Sequence, residues 1–284
     1  MAPDQSNRVD RPRRRPGTAR PWRSRLTEPR TLDDAQRRRR TSSAAVLSVV
    51  GLAVFLVALV GVLTHSGVQT LDQPVERWFD AQRHPDRTGA MVVLALVFGP
   101  IGMPIVVALT LVVWIALARH LWRPLLLLAG MVTGVALAQI LAPIIRHPRP
   151  PIGEMLLGPD HTFSFPSGHV LGMSDFFLLT AYLLATRIRR RWFTVLAVVL
   201  AVGLVLAQIV SRLYLGYHWF TDVTASVGLS MAIVGIVIAV DVRHTSRRPR
   251  GADDRTSSGS RTRVGVGSAG PALGLDGAAS GGAR

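Results

Sequence analysis

Ala44–Thr64 reads AAVLSVVGLAVFLVALVGVLT, roughly 21 residues without a charge, where ~17 suffice to cross a bilayer's hydrocarbon core as a helix. On its N-terminal side, Met1–Ser42 holds 13 arginines, 5 acids and almost no large aliphatic residues. Such a stretch cannot bury enough apolar surface to offset its ordering entropy and is expected to be disordered. A basic region of that length ahead of a run long enough to span argues against a cleaved signal peptide. On the C-terminal side, Val68–Ala90 carries Trp78 and Phe79 among Asp72, Glu76, Arg77, Asp80 and Arg83, polar enough to lie in water or at the interface.

Further apolar runs follow. Thr88–Arg119 is too long for one helix and is broken by Gly99-Pro100-Ile101-Gly102-Met103-Pro104. It divides into a short interfacial or re-entrant piece, Thr88–Phe98, and a second span, Met103–Ala118. Leu121–Ile145, Pro166–Thr186, Trp192–Val210 and His218–Val240 supply four more spans, with a proline-rich polar loop, Arg146–Phe165, after the third. The expected fold is therefore an all-α membrane protein: six transmembrane helices in a bundle, a short interfacial helix between the first two, and disordered termini. Residues 43–242 form the membrane domain, and 1–42 and 243–284 are the Arg-rich tails, the second also rich in Gly and Ser.

Of 33 basic residues every one is arginine, against 17 acids, for a net charge of +16. Thirteen of those net charges lie in the two tails, so the charge reads as a topology signal, and no nucleic acid partner is expected. The absence of lysine excludes Schiff-base chemistry, pyridoxal phosphate attachment and a lysine-bearing P-loop. The absence of cysteine excludes thiol nucleophiles, disulfides and thiolate metal sites. Both tails, the loop at Arg119, His120 and Arg123, and the loop Arg187–Arg191 fall on one side of the six spans. The positive-inside rule then gives a multi-pass protein of the cytoplasmic membrane with both termini in the cytoplasm.

With that topology the unusual polar residues gather at the outer face. Pro166-Ser167-Gly168-His169 opens a span, and a helix N-terminus is an anion site because its N–H groups are unpaired and its dipole is positive there. Gly168 leaves room for a phosphate against the backbone, and Ser167 adds a hydroxyl. Arg149 and Arg212 supply planar forks for phosphate oxygens. No metal is expected, since no carboxylate and histidine cluster with hard-ion spacing accompanies the site, and no cofactor is expected either. His218 and Asp222 stand at i and i+4, so the carboxylate can hold one ring nitrogen and leave the other as a nucleophile. His169 is placed to protonate the leaving oxygen and later to deprotonate water.

These segments, in this order, resemble the type 2 phosphatidic acid phosphatase superfamily of integral membrane lipid phosphatases. The motifs are Arg149-Pro150, Pro166-Ser167-Gly168-His169 and Ser211-Arg212 followed by His218 and Asp222; the resemblance covers about residues 44–240. It implies a six-helix bundle, nucleophile His218, acid–base His169, orienting Asp222, and phosphate contacts from Arg149, Ser167, Gly168 and Arg212. The implied activity is hydrolysis of a phosphomonoester or diphosphate on a membrane lipid, polyprenyl diphosphate or phosphatidate-like, through a phosphohistidine at the extracytoplasmic face. A phosphotransferase using an acceptor alcohol and a non-catalytic lipid-phosphate-binding relative are the alternatives.

One position departs from the family pattern. The lysine usual seven residues before the matching arginine is here Ala142, and the usual Arg-Pro-Arg-Pro is altered, with Arg146 displaced by one. Arg146 is a candidate to take the vacant space as an auxiliary phosphate contact. Asp175, inside the fourth span, is expected to bond neighbouring polar groups such as Gln139 or Gln208. Glu154, Asp160 and His161 belong to the outer loop, where a head-group contact and simple loop polarity explain them equally.

Overall fold

The computed structural model describes residues 31–118 and 120–247; the expectations for residues 1–30, Arg119 and 248–284 lie outside the described residues. The chain runs β1 (Thr31–Leu32), α1 (Asp34–Thr64), a 3₁₀ turn (Gly67–Leu71), α2 (Asp72–Ala81), α3 (Pro85–Val97), α4 (Gly102–Leu117), α5 (Trp122–Ile145), a second 3₁₀ turn (Ile152–Glu154), α6 (Gly168–Ile188), α7 (Arg191–Tyr214), α8 (Phe220–His244) and β2 (Ser246–Arg247). The two-residue strands are the only β-structure among the described residues.

Helix α1 starts about ten residues before the apolar run that announces it. Asp33 caps it, accepting from the Gln36 N–H at 2.6 Å, and Asp34 in the first turn meets the positive end of the helix dipole. Residues 34–42, expected within the disordered tail, are thus helical. The helix ends at His65, whose left-handed backbone (φ 50°) closes it.

Five helices among the described residues, α1, α5, α6, α7 and α8, are long and apolar enough to cross a membrane. A bent helix pair brings the number of candidate crossings to at most six. α3 and α4 meet the same test only as a pair, bent by 56° across Phe98–Ile101, where Pro100 lacks an N–H to continue a helix. Thr88–Phe98, expected as a separate interfacial piece, falls within α3 and its cap residue.

The most extensive helix pairing is α1 against α8, and glycine makes it possible. A Cβ on Gly51 would stand 2.5 Å from the Gly228 carbonyl oxygen, and one on Gly235 2.7 Å from Ala44 O. Lipid tails are as apolar as leucine, so helices in a bilayer gain from close backbone approach rather than from hydrophobic burial. Around this pair, Leu127, Leu171, Leu179, Leu183 and Phe165 fill the interior. Leu109 and Val112 on α4, and Val195 and Val199 on α7, face outward, as helices bounded by lipid do.

Helix α7 continues to Tyr214, past the expected end at Val210. Ser211 and Arg212, expected in a loop, therefore ride on its last turn, which fixes where the guanidinium can reach.

Candidate active site

Four ends of the chain's elements converge: the exit from α5, the entrance of α6, the last turn of α7 and the first turn of α8. Gly216 makes the turn between α7 and α8 with φ 74°, and a Cβ there would collide with the Glu154 carbonyl oxygen, so only glycine fits. Two residues later stands His218, 5 % exposed.

The His218 ring is held at one edge. Nδ1 is 2.9 Å from the Ser164 carbonyl oxygen and 3.4 Å from Asp222 Oδ2. A carbonyl can only accept, so Nδ1 carries the proton and Nε2 the lone pair. The nearer orienting group is therefore a backbone carbonyl, with the expected carboxylate sharing the task. Burial first, and then the charges of Arg149 and Arg212, push His218 down to about 4, against the upward pull of Asp222. The imidazole is neutral at pH 7, with the Nε2 lone pair directed toward Arg149 Nη1.

Asp222 is fully buried and every approach to it is a donor. Oδ2 accepts from the Trp219 N–H at 2.8 Å, which caps α8. Oδ1 is 3.0 Å from His147 Nδ1 and 3.3 Å from Ser164 Oγ. His147 was not among the residues singled out from the sequence. It is 5 % exposed, and its other nitrogen, Nε2, lies 3.2 Å from the Gln69 amide nitrogen. Its only sequence signal is its position two residues before Arg149; nothing local announces a partner 75 residues away.

Arg149 reaches the same place from the loop after α5. Its Nη1 donates to Tyr217 O at 2.7 Å and lies 3.3 Å from His218 Nε2. Its Nε and Nη2 donate to Thr162 O and Thr162 Oγ1, and Nη2 is 3.0 Å from Asp160 Oδ2. Burial lowers the Arg149 pKa, while Asp160 and Asp222 oppose that shift. For Asp160 burial acts upward, but the Thr162 hydrogen bonds and the Arg149 and His218 charges hold it below its ordinary value. Asp160 therefore buttresses the arginine. Glu154 is also engaged, 2.8 Å from Arg83 Nη1.

Arg212 is 4 % exposed, with its guanidinium carbon 4.6 Å from the Tyr217 ring centroid. Such stacking leaves the in-plane N–H groups available, and Nε has no partner among the described residues. Ser167 caps α6, accepting from the Val170 N–H at 3.5 Å. Gly168 is exposed with nothing within 4 Å of a would-be Cβ. His169 follows on the first turn, and its Nε2 would stand 3.2 Å from a Cβ on Gly99. The break between α3 and α4 thus abuts this histidine.

Arg146 is placed differently. It ends α5 in the left-handed region (φ 53°) and its Nε donates to Pro143 O at 3.0 Å. Its exposed side chain turns back on its own helix. Asp175 is fully buried beside Gly134 and Ser230. Both amide atoms of Gln208 are without a partner, so the expected Asp175–Gln208 bond is not made.

Asp72 is a further residue the sequence reading passed over. From the start of α2 it accepts the Thr221 N–H and the Thr221 hydroxyl, each at 2.8 Å. It thereby caps the helix that carries Asp222.

A buried histidine whose unprotonated nitrogen faces a guanidinium, a second arginine fork and an open helix N-terminus can together receive a phosphoryl group. Residues 123–246 match the family model of the PAP2 superfamily. This is the family to which the motifs point. The PAP2 segment begins in α5 and contains all the residues just described except Gln69, Asp72, Arg83 and Gly99. Phosphatidylglycerophosphatase B of Bacillus subtilis (strain 168) is 25 % identical over 198 residues, covering 68 % of this chain and 94 % of that protein. The crystal structure of a transmembrane PAP2-type phosphatidylglycerolphosphate phosphatase from Bacillus subtilis superposes with a TM-score of 0.62 at 22 % identity. The match covers 68 % of this chain and 96 % of that one, and it places the two in one fold.

Proposed function

We propose that this PAP2 protein is a lipid phosphatase that hydrolyses a phosphomonoester on a phospholipid head group through a phosphohistidine. The observation that carries the reading is the His218 geometry: Nδ1–H is held by Ser164 O and Asp222, and Nε2 faces the Arg149 fork 3.3 Å away. Nε2 attacks phosphorus as the bond to the lipid oxygen breaks. His169 gives that oxygen its proton. Water then attacks the phosphohistidine, His169 takes a proton from it, and the N–P bond breaks to release inorganic phosphate and restore His218. Arg149, Arg212, the Ser167 hydroxyl and the α6 N-terminus hold the phosphoryl oxygens, the electrostatic share of the catalysis. Two guanidinium groups beside a histidine nucleophile supply the positive charge that a metal supplies elsewhere, so the reaction is metal-independent.

The name of the Bacillus relative supports a glycerophospholipid phosphate as substrate ahead of polyprenyl diphosphate. The site lies at the helix ends opposite Arg37–Arg40 and Arg187–Arg191, which supports arginine-rich ends in the cytoplasm and the site outside.

The test is phosphate release in chelator from phosphatidylglycerophosphate, phosphatidate and a polyprenyl diphosphate, with wild type beside His218→Ala. Release from a phospholipid in wild type, lost in the variant, is the expected result. Failure on every lipid, or equal turnover by the variant, would overturn the reading. Release from the diphosphate alone would overturn the substrate assignment.

A further inference from the structure

A cavity of about 910 Å³ opens at the end of the bundle remote from His218 and runs between α7 and the helices α1, α6 and α8. It exists because α7 packs chiefly on α6 and leans away towards α3 and α2, leaving its other flank parted from α1 and α8. Each wall is a single helical stripe. On α7 it runs Thr194, Val198, Val202, Leu206, Ile209, and on α8 it runs Val227, Met231, Val234, Ile238. From Arg191 to Ile209 the cleft follows α7 for roughly 27 Å at 1.5 Å per residue, ample for an acyl chain of one leaflet, about 15 Å deep.

The two ends of the cleft differ in chemistry. Its depth is aliphatic, and five arginines stand at its mouth: Arg39 and Arg40 from α1, and Arg189, Arg190 and Arg191 from the turn into α7. That turn is a left-handed one at Arg189 (φ 56°), which brings three consecutive arginines to the mouth. No carboxylate lines the cavity itself; Asp241 stands behind Tyr182 and is bonded to its hydroxyl. Arg40 interacts with the Tyr182 hydroxyl, while its Nη1 has no hydrogen-bond partner among the described residues, which leaves that donor for an anion. Arg190, the residue capping α7, makes no side-chain cap bond, which leaves first-turn N–H groups of a 24-residue helix for the same anion.

We propose that this cleft binds an anionic phospholipid, its phosphate on the arginine cluster and one acyl chain along the α7–α8 wall. The occupant is a lipid and not a free anion, because a free anion would use only the mouth of a cavity whose deeper lining, from Val198 to Ile209 on α7 and from Val227 to Ile238 on α8, is apolar. The site is separate from the one that carries His218 and touches none of its residues.

The test uses the full chain, purified and stripped of lipid, and reads retained lipid by native mass spectrometry. Phosphatidylglycerol and phosphatidylcholine are offered separately, the first also against excess glycerol phosphate. Wild type and Arg149→Ala are expected to retain phosphatidylglycerol at least tenfold more tightly than phosphatidylcholine, with glycerol phosphate competing poorly. The combination Arg40→Gln, Arg190→Gln, Arg191→Gln should lose about tenfold in affinity, and Val202→Trp, which fills the cleft, should lose it outright; both should still release phosphate from substrate. Equal retention of the two lipids overturns the proposal, as does loss in Arg149→Ala alone or displacement by glycerol phosphate. Should either variant fail to fold, a photoreactive-acyl phosphatidylglycerol on the wild-type chain decides the matter. Labels on the α7 and α8 stripes support the site, and labels elsewhere refute it.

Discussion

His147 Nδ1 lies 3.0 Å from Asp222 Oδ1, and the opposite carboxylate oxygen faces the His218 ring. One carboxylate therefore stands between two imidazoles, the second of them fixed by Gln69. His147 does not touch His218; its bond to Oδ1 holds Asp222 in the rotamer that turns Oδ2 toward His218 Nδ1. Removing it leaves a buried carboxylate oxygen with Ser164 Oγ as its remaining partner. A hydrogen bond to a charged group contributes about 1.5–3 kcal/mol, so His147→Ala should lower kcat roughly tenfold to a hundredfold with KM little changed. His147→Asn, which can present an N–H near the same point, should recover much of that loss. Steady-state kinetics on the three proteins check it; a change confined to KM would contradict the positioning role.

The depressed His218 pKa gives a signed pH dependence. Its folded value of about 4 lies below the ordinary 6.5, so the free-enzyme nucleophile stays unprotonated down to about pH 4. The acid limb of kcat/KM assigned to this histidine should therefore fall near pH 4 and not near 6.5. For stability, a depressed pKa means that the unfolded chain binds the proton first. The contribution of neutral His218 is present above pH 6.5 and is lost as pH falls from there through 4. Thermal unfolding of wild type and His218→Ala from pH 4 to 7 should show that slope in wild type and a weaker one in the variant.

Asp72 behaves with the opposite sign. Burial raises its pKa from 3.8 to about 6, against the hydrogen bonds from Thr221. The folded chain holds this proton more tightly than the unfolded one, so the group's stabilisation is present below pH 3.8 and is lost as pH rises through 6. Asp72→Asn should therefore gain on wild type in melting temperature between pH 4 and 7. Asp72→Leu, which removes the acceptor for the Thr221 N–H and hydroxyl, should cost about 1–3 kcal/mol at any pH.

Gly99 couples the break between α3 and α4 to His169. A Cβ there would meet Ala95 O at 2.5 Å and His169 Nε2 at 3.2 Å. Gly99→Ala should move the α3–α4 break against His169 and, with His169 as the proposed acid–base group, lower kcat at least tenfold. The same substitution at Gly89, which has nothing within 4 Å, should leave kcat unchanged. Paired turnover and melting measurements separate an effect on chemistry from one on folding.

A guanidinium fork also differs from a single ammonium. Arg149→Lys keeps the charge but loses the parallel N–H groups that span Thr162, Tyr217 and the place beside His218 Nε2. It should raise KM and lower kcat together, by at least tenfold in kcat/KM, whereas Asp160→Asn should perturb both less.

The sequence by itself determined the apolar runs and the contacts made within one helical turn. Charge-free runs such as Ala44–Thr64 leave a helix as the one way to satisfy backbone groups in a bilayer, and i and i+4 spacing brings His218 and Asp222 together on local geometry alone. Ser167 and Gly168 are legible for the same reason, since a helix N-terminus is a local structure. What only the tertiary structure decided are contacts between distant segments. Asp222 receives His147 from 75 residues away, His218 donates to a carbonyl of the α5–α6 loop, Thr221 is capped by Asp72 from α2, and Gly99 presses on His169. Arg146 looked able to serve phosphate in sequence, yet its left-handed cap conformation sends it to Pro143 O. Spacing along a helix fixes neighbours one turn away; which far segments then meet depends on how closely the helices pack, and here Gly51, Gly228 and Gly235 set that distance.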